Sequence, residues 1–232
     1  MTRTLFVSFV TIILAAATVS AQTTTTPPLQ KGVSVEMAVT TQAQPMPEAD
    51  NESAWIVSVT EDGKLYFGIN PVTPEELEPA LKSLPRNRQA KLYVKADARA
   101  PFASVEQALE AARRALFETP VLLTSQREPI AAGTVVPPNG LEVLIAPALP
   151  AGTVATVVQL LNSGPQPPPL SVNGYEISWS ALEGTLRRHF QKGDEKMILL
   201  KAAERLPFGQ VVQVIDVCRS TGAKVFLPTP EL

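Results

Sequence analysis

The chain has 232 residues, 45% of them hydrophobic and 18% charged, with a formal net charge of -2. That is enough apolar material for one or two compact domains, and the near-neutral balance gives no basic footprint for nucleic acid and no acidic tail. A single cysteine, Cys218, and a single histidine, His189, exclude an intramolecular disulfide framework and a zinc cluster built from the usual ligands; neither metal nor cofactor is expected.

The N-terminus reads MTRTLFVSFVTIILAAATVSAQ. Arg3 precedes an apolar run of 13 residues, 5–17, and Val19-Ser20-Ala21 places small residues at cleavage spacing. This is the form of a secretory signal peptide cut after Ala21. The alternative is a retained inner-membrane anchor over residues 4–21, which carry no charge, although a full span asks for about 20 apolar residues. Either reading exports the remainder, so the chain is expected in the periplasm. Residues 22–32, QTTTTPPLQKG, are Thr/Pro-rich without periodicity and read as a flexible linker.

A first domain is expected over 33–125. Residues 33–39 alternate weakly as a first strand, and 40–53 form a proline-broken loop. Strands 55–59 and 65–69 make a hairpin around Glu61-Asp62-Gly63. Thr73 then serves as N-cap, Pro74 fits the first helical position and Glu76 completes a capping box. Leu77, Leu81 and Leu84 follow at helical spacing until Pro85. After a strand at 91–95, Ser104 is expected to cap a helix. Val105, Ala108, Leu109, Ala112, Ala115 and Leu116 form its apolar stripe, and strand 121–124 closes the unit.

The C-terminal part repeats this grammar. Setting Lys95 on Lys201 puts Pro101 on Pro207, Phe102 on Phe208 and Val105 on Val211; setting Leu65 on Leu170 puts Leu77 on Leu182 and Leu81 on Leu186. After a linker at 126–139, a second domain is therefore expected over 140–229. It has a first strand at 141–146, a hairpin from 154–161 and 170–177 turned by Gly164-Pro165, helices 179–190 and 207–221, and a closing strand 225–227. Gly222 is the residue that ends the last helix. Each unit reads β-β-β-α-β-α-β, a mixed sheet with helices on one face, with a right-handed parallel crossover through its second helix: an α+β fold.

No catalytic constellation stands out, and the chain is not expected to be an enzyme. His189 satisfies a helix end, Cys218 lies on an apolar stripe as a small buried hydrophobe, and Asp97, replaced by Ala203 in the repeat, has a strand-end turn role. Glu75-Glu76 and Asp194-Glu195 are explained by caps and dipoles. Prolines 167–169 read as a stiff turn, with a partner-recruiting polyproline helix as the sharper alternative. A Cys218–His189 hydrolase is the competing class.

The run VSVTEDGKLYFGINPVTPEELEPAL, then LYVKADARAPFASVEQALEAARR, resembles the periplasmic domain of the ExbD/TolR biopolymer-transport family, and IDVCRSTGAKVFLPT is similar to that family's final helix, glycine and strand. The most specific parts are Asp62-Gly63, Ala96-Asp97 with Pro101-Phe102, and Ile215-Asp216 with Thr221-Gly222. The resemblance implies a non-enzymatic accessory or adaptor of an energy-transducing envelope complex. Its partners would be an ExbB/MotA-like channel subunit, a TonB/TolA-like envelope protein or the cell wall. Family members carry a transmembrane aspartate that moves protons. Here no acidic residue occurs before Lys31, so that role has no position to occupy; a motor-competent anchored subunit is the alternative. Family domains dimerise, so the two copies are expected to pack as a pseudo-twofold pair. The closing strands, Val121, Leu122, Leu123 and Thr124 with Val225, Phe226 and Leu227, are the expected sheet edges for a partner strand. If pairing consumes both edges, the groove beside the seam is the remaining place.

Overall fold

The computed structural model describes residues 32–51, 54–83, 90–126, 137–161, 167–190 and 196–229. The leader, most of the first linker, Leu84 and Pro85, the Gly164-Pro165 turn and Asp194-Glu195 lie outside these residues. The described chain is α+β, with two mixed sheets and four α-helices.

The first half runs β1 (Val39–Thr40), β2 (Gln44–Pro45), β3 (Trp55–Val59), β4 (Leu65–Phe67), β5 (Asn70–Val72), α1 (Pro74–Ser83), β6 (Leu92–Ala96), α2 (Phe102–Arg114) and β7 (Val121–Gln126). The second runs β8 (Asn139–Glu142), β9 (Leu144–Ala146), β10 (Thr156–Leu160), β11 (Leu170–Val172), β12 (Tyr175–Ile177), α3 (Leu182–His189), β13 (Met197–Ala202), α4 (Phe208–Ser220) and β14 (Lys224–Pro228). The sheets share one pattern: β5-β4-β3-β6-β7 matches β12-β11-β10-β13-β14, with the last two neighbours parallel in each.

Local chemistry explains much of this. The capping box forms as expected: Thr73 N donates to Glu76 Oε2 at 2.9 Å and Glu76 N to Thr73 Oγ1 at 3.3 Å. Each expected return strand is shorter than its apolar run because a tight turn, at Gly68 or at Asn173-Gly174, folds three residues back as an extra strand. One apolar cluster runs through both halves, joining Val57, Leu77, Val105 and Leu109 to Val158, Leu182, Val211 and Ile215. A smaller one, Ile56, Tyr93, Val121 and Leu123, lies on the other face of the first sheet under Met46 and Ala49. The segment expected to be a loop over 40–53 thus contains β2 and a 3₁₀ turn, Pro47–Asp50, that cover this second face.

Two first strands depart from expectation. Of the first, expected over 33–39, only Val39 is strand, continued by Thr40 and preceded by a Met37–Asp97 bridge. Upstream backbone groups go instead to the turn after β6: Glu36 N donates to Asp97 Oδ2 and Ala98 N to Glu36 O. The expected strand 141–146 is broken at Val143 and serves both sheets. Its first part runs antiparallel to β7, with Leu123 opposite Gly140; its second runs parallel to β14, with Phe226 opposite Leu144. Val143 N and Ile145 N still donate to Pro120 O and Glu118 O, so the segment stitches the halves together.

Candidate partner-binding site

The first turn of a helix leaves backbone N–H groups without an intrahelical acceptor. Ser104 does not cap α2, which begins two residues earlier, and no side chain caps α2 or α4. Each half instead satisfies the other. Phe102 N donates to Leu206 O and Ala103 N to Glu204 O, both at 2.9 Å; Phe208 N donates to Ala100 O and Gly209 N to Ala98 O, both at 2.8 Å. All four pairs are related by the offset that sets Lys95 on Lys201, and Pro101 bridges Pro207 at the centre. This is a pseudo-twofold joint, the isologous arrangement of a symmetric dimer, formed within one chain.

The expected binding strands are not edges. Val121, Leu122, Leu123 and Thr124 lie between β6 and β8, and Val225, Phe226 and Leu227 between β13 and β9. Their backbone groups are committed because the two parts of the broken strand, β8 and β9, lie against them, while β1 pairs only with Ser125 and Gln126; this non-local pairing is not encoded in periodicity. The outer strands are β2 and β5 in the first sheet, each holding a proline (Pro45, Pro71), and β12 and β9 in the second. Proline on an edge removes a donor and discourages further pairing.

At the end of α2 away from the joint a groove of about 460 Å³ opens, lined by Leu116, Leu144, Pro147, Pro150, Met197 and Phe226, with Arg113 and Glu118 on its wall. Phe226 is the one expected binding residue that reaches it. The two flanks differ in local chemistry. Across the pseudo-twofold, the residue after β1 is Thr41; its N and Oγ1 donate to Asp216 Oδ2 at 2.8 and 2.9 Å, and Gln42 N donates to Asp216 Oδ1 at 2.7 Å. That clasp closes the chain onto α4. On the groove side the residue after β9 is Pro147, which has no N–H, and the acid corresponding to Asp216 is Glu110, which pairs with Arg114.

Leu116 projects at the groove's lip, 74% exposed rather than on the buried stripe. It holds φ 64, the left-handed region, directly after α2; its counterpart after α4 is Gly222, φ 77. A leucine there bears a steric cost that glycine does not.

Other sequence candidates fall into structural places. Asp97 accepts Glu36 N, Arg99 N and the Arg99 guanidinium, which hold its carboxyl down at about 2. Cys218 is fully buried, and burial pushes its thiol up to about 12, away from the thiolate a nucleophile needs. Trp179 Nε1 donates to Pro168 O at 2.8 Å, tying down the proline turn. His189 ends α3 with its ring against Phe190. Sequence reasoning missed a polar set under the 3₁₀ turn. Lys95 is 4% exposed, desolvation holds its ammonium pKa below the usual lysine range, and Asp50 opposes that shift. Ser58 Oγ and Asp50 Oδ1 are buried without a hydrogen-bond partner among the described residues. Only the lysine shared with Lys201 hinted at it, and Lys201 is exposed.

No helix among the described residues is long and apolar enough to cross a membrane, and none of their acids, cysteines or histidines cluster as a metal site. A model of the biopolymer transport protein family ExbD/TolR matches residues 5–127. No curated protein and no solved structure matches the chain. The match starts inside the apolar run and ends just past β7, so it spans the first half and more than half of the whole. The chain belongs to the ExbD/TolR family of biopolymer transport proteins.

Proposed function

We propose that the chain is a non-enzymatic periplasmic adaptor of an envelope transport complex, with two ExbD/TolR-type domains paired in one polypeptide. The observation that carries this reading is the reciprocal joint about Pro101 and Pro207, whose single offset matches the sequence repeat. The absence of an acid from residues 1–30 argues for an accessory rather than a proton-carrying subunit. A buried Cys218 with a raised pKa weighs against a thiol hydrolase. The groove at Phe226 and Leu116 is the proposed contact for an extended segment of a TonB/TolA-like or channel-subunit partner. Pull-down from cross-linked envelopes should recover such a component or cell-wall material. Recovery of neither would sink the reading.

The start of the family match at Leu5, within the apolar run, favours a second reading in which that run is kept as an inner-membrane anchor. N-terminal sequencing of the exported protein decides between them: a chain starting at Gln22 is cleaved, one starting within residues 1–10 is anchored.

A further inference from the structure

The joint is symmetric in its backbone and asymmetric in its side chains. Ala103 N donates to Glu204 O, and Glu106 stands three residues beyond Ala103, on the same face of α2. Glu106 and Glu204 are thereby brought to one side of the joint. On the other side Gly209 N donates to Ala98 O, and three residues beyond Gly209 stands Val212, fully buried. One side therefore sets valine against alanine where the other sets a half-buried acid, Glu106, near an exposed one, Glu204.

We propose that Glu106, set near Glu204, forms a pH-responsive element of this joint, holding the halves tightly when Glu106 is protonated and loosening them when it is ionised. Burial, then repulsion from Glu204, pushes the Glu106 carboxyl from 4.5 to about 7. The groups around it leave that repulsion in place. The turn before α4 adds Arg205, which is exposed. On α2 itself, Glu110 is paired with Arg114, and Arg113 lies two turns on at the groove. From α1 come Glu75 and Glu78, which face the Glu110–Arg114 side. Helix α4 presents Gln210 and no titratable group before Asp216, itself bound to Thr41 and Gln42. Strands β3, β6 and β9 turn Val57, Val59, Val94, Ala96 and Ile145 toward this core.

The folded state holds the Glu106 proton more tightly than the unfolded state. Its contribution is therefore full below pH 4.5 and is lost as pH rises through about 7. An exported protein meets the pH of its surroundings; that biological consequence rests on the localisation proposed above, whereas the joint does not.

The test is amide hydrogen exchange on the purified full chain at pH 5 and pH 8, corrected for intrinsic exchange rates. Protection at Phe102, Ala103, Phe208 and Gly209 should fall by about tenfold in the wild type. It should stay constant in E106Q and in E106V, the latter copying Val212. Equal wild-type protection at both pH values, or either variant retaining the fall, would overturn the proposal. Because exchange is read on isolated protein, failure here is distinct from failure to find an envelope partner.

Discussion

Asp216 takes three hydrogen bonds from a segment of the other half while only 9% exposed. Removing the acceptor strands two backbone donors, so Asp216→Ala should cost about 2–4 kcal/mol in denaturant unfolding. Asp216→Asn should cost less. Lys95 is the opposite case, a charge whose desolvation is poorly compensated. Replacing it with methionine removes that penalty and keeps the packing volume. Lys95→Met should therefore raise unfolding free energy at neutral pH by about 1 kcal/mol. Because the native pKa lies below that of the unfolded chain, the wild type should close this gap as pH rises above the native pKa, while the variant shows no such gain. A variant less stable than wild type would mean that bridging water compensates the charge more fully than the buried oxygens suggest.

The left-handed residue that follows α2 separates stability from recognition. Leu116→Gly removes a side chain from a left-handed position, as Gly222 already does after α4. It should stabilise the fold by about 1 kcal/mol while weakening partner capture through the groove; thermal melting and pull-down read the two effects. Phe226→Pro acts at the strand level. Proline in a strand paired on both sides disrupts the ladder, so it should cost about 3 kcal/mol or more and unfold the chain. A folded Phe226→Pro protein, seen by circular dichroism, would contradict the interior placement. What the sequence made legible was local: the Thr73–Glu76 box acts across three residues, Gly222 ends its helix, and the Lys95–Lys201 offset survives in the joint. What it hid was non-local. Ser104 looked like a cap because nothing nearby showed that Leu206 and Glu204 would supply the acceptors. Strands β7 and β14 looked like edges because nothing in 33–39 or 141–146 names the strand each would join.

At the scale of the molecule, residues 139–146 belong to both sheets and one apolar cluster crosses the joint. Neither half can lose its packing without exposing the other's, so unfolding should be cooperative. The two tryptophans provide the check, Trp55 in the first half and Trp179 in the second. Fluorescence of Trp55→Phe and Trp179→Phe variants should give coincident denaturant midpoints once each variant's own stability is taken from circular dichroism. A fluorescence transition displaced from the circular-dichroism curve in either variant would show the halves melting separately.

The difference between the two flanks carries the last consequence. The Asp216 clasp fastens one, and the groove opens on the other. Two identical subunits would display every recess twice and bind ligands in pairs. A covalently fused pair whose flanks differ in this way presents this groove once among the described residues. A tensile load delivered through such a contact would enter the molecule off its axis, on the side where α2 ends, and would reach the closed flank only through the Pro101–Pro207 joint and the shared strand.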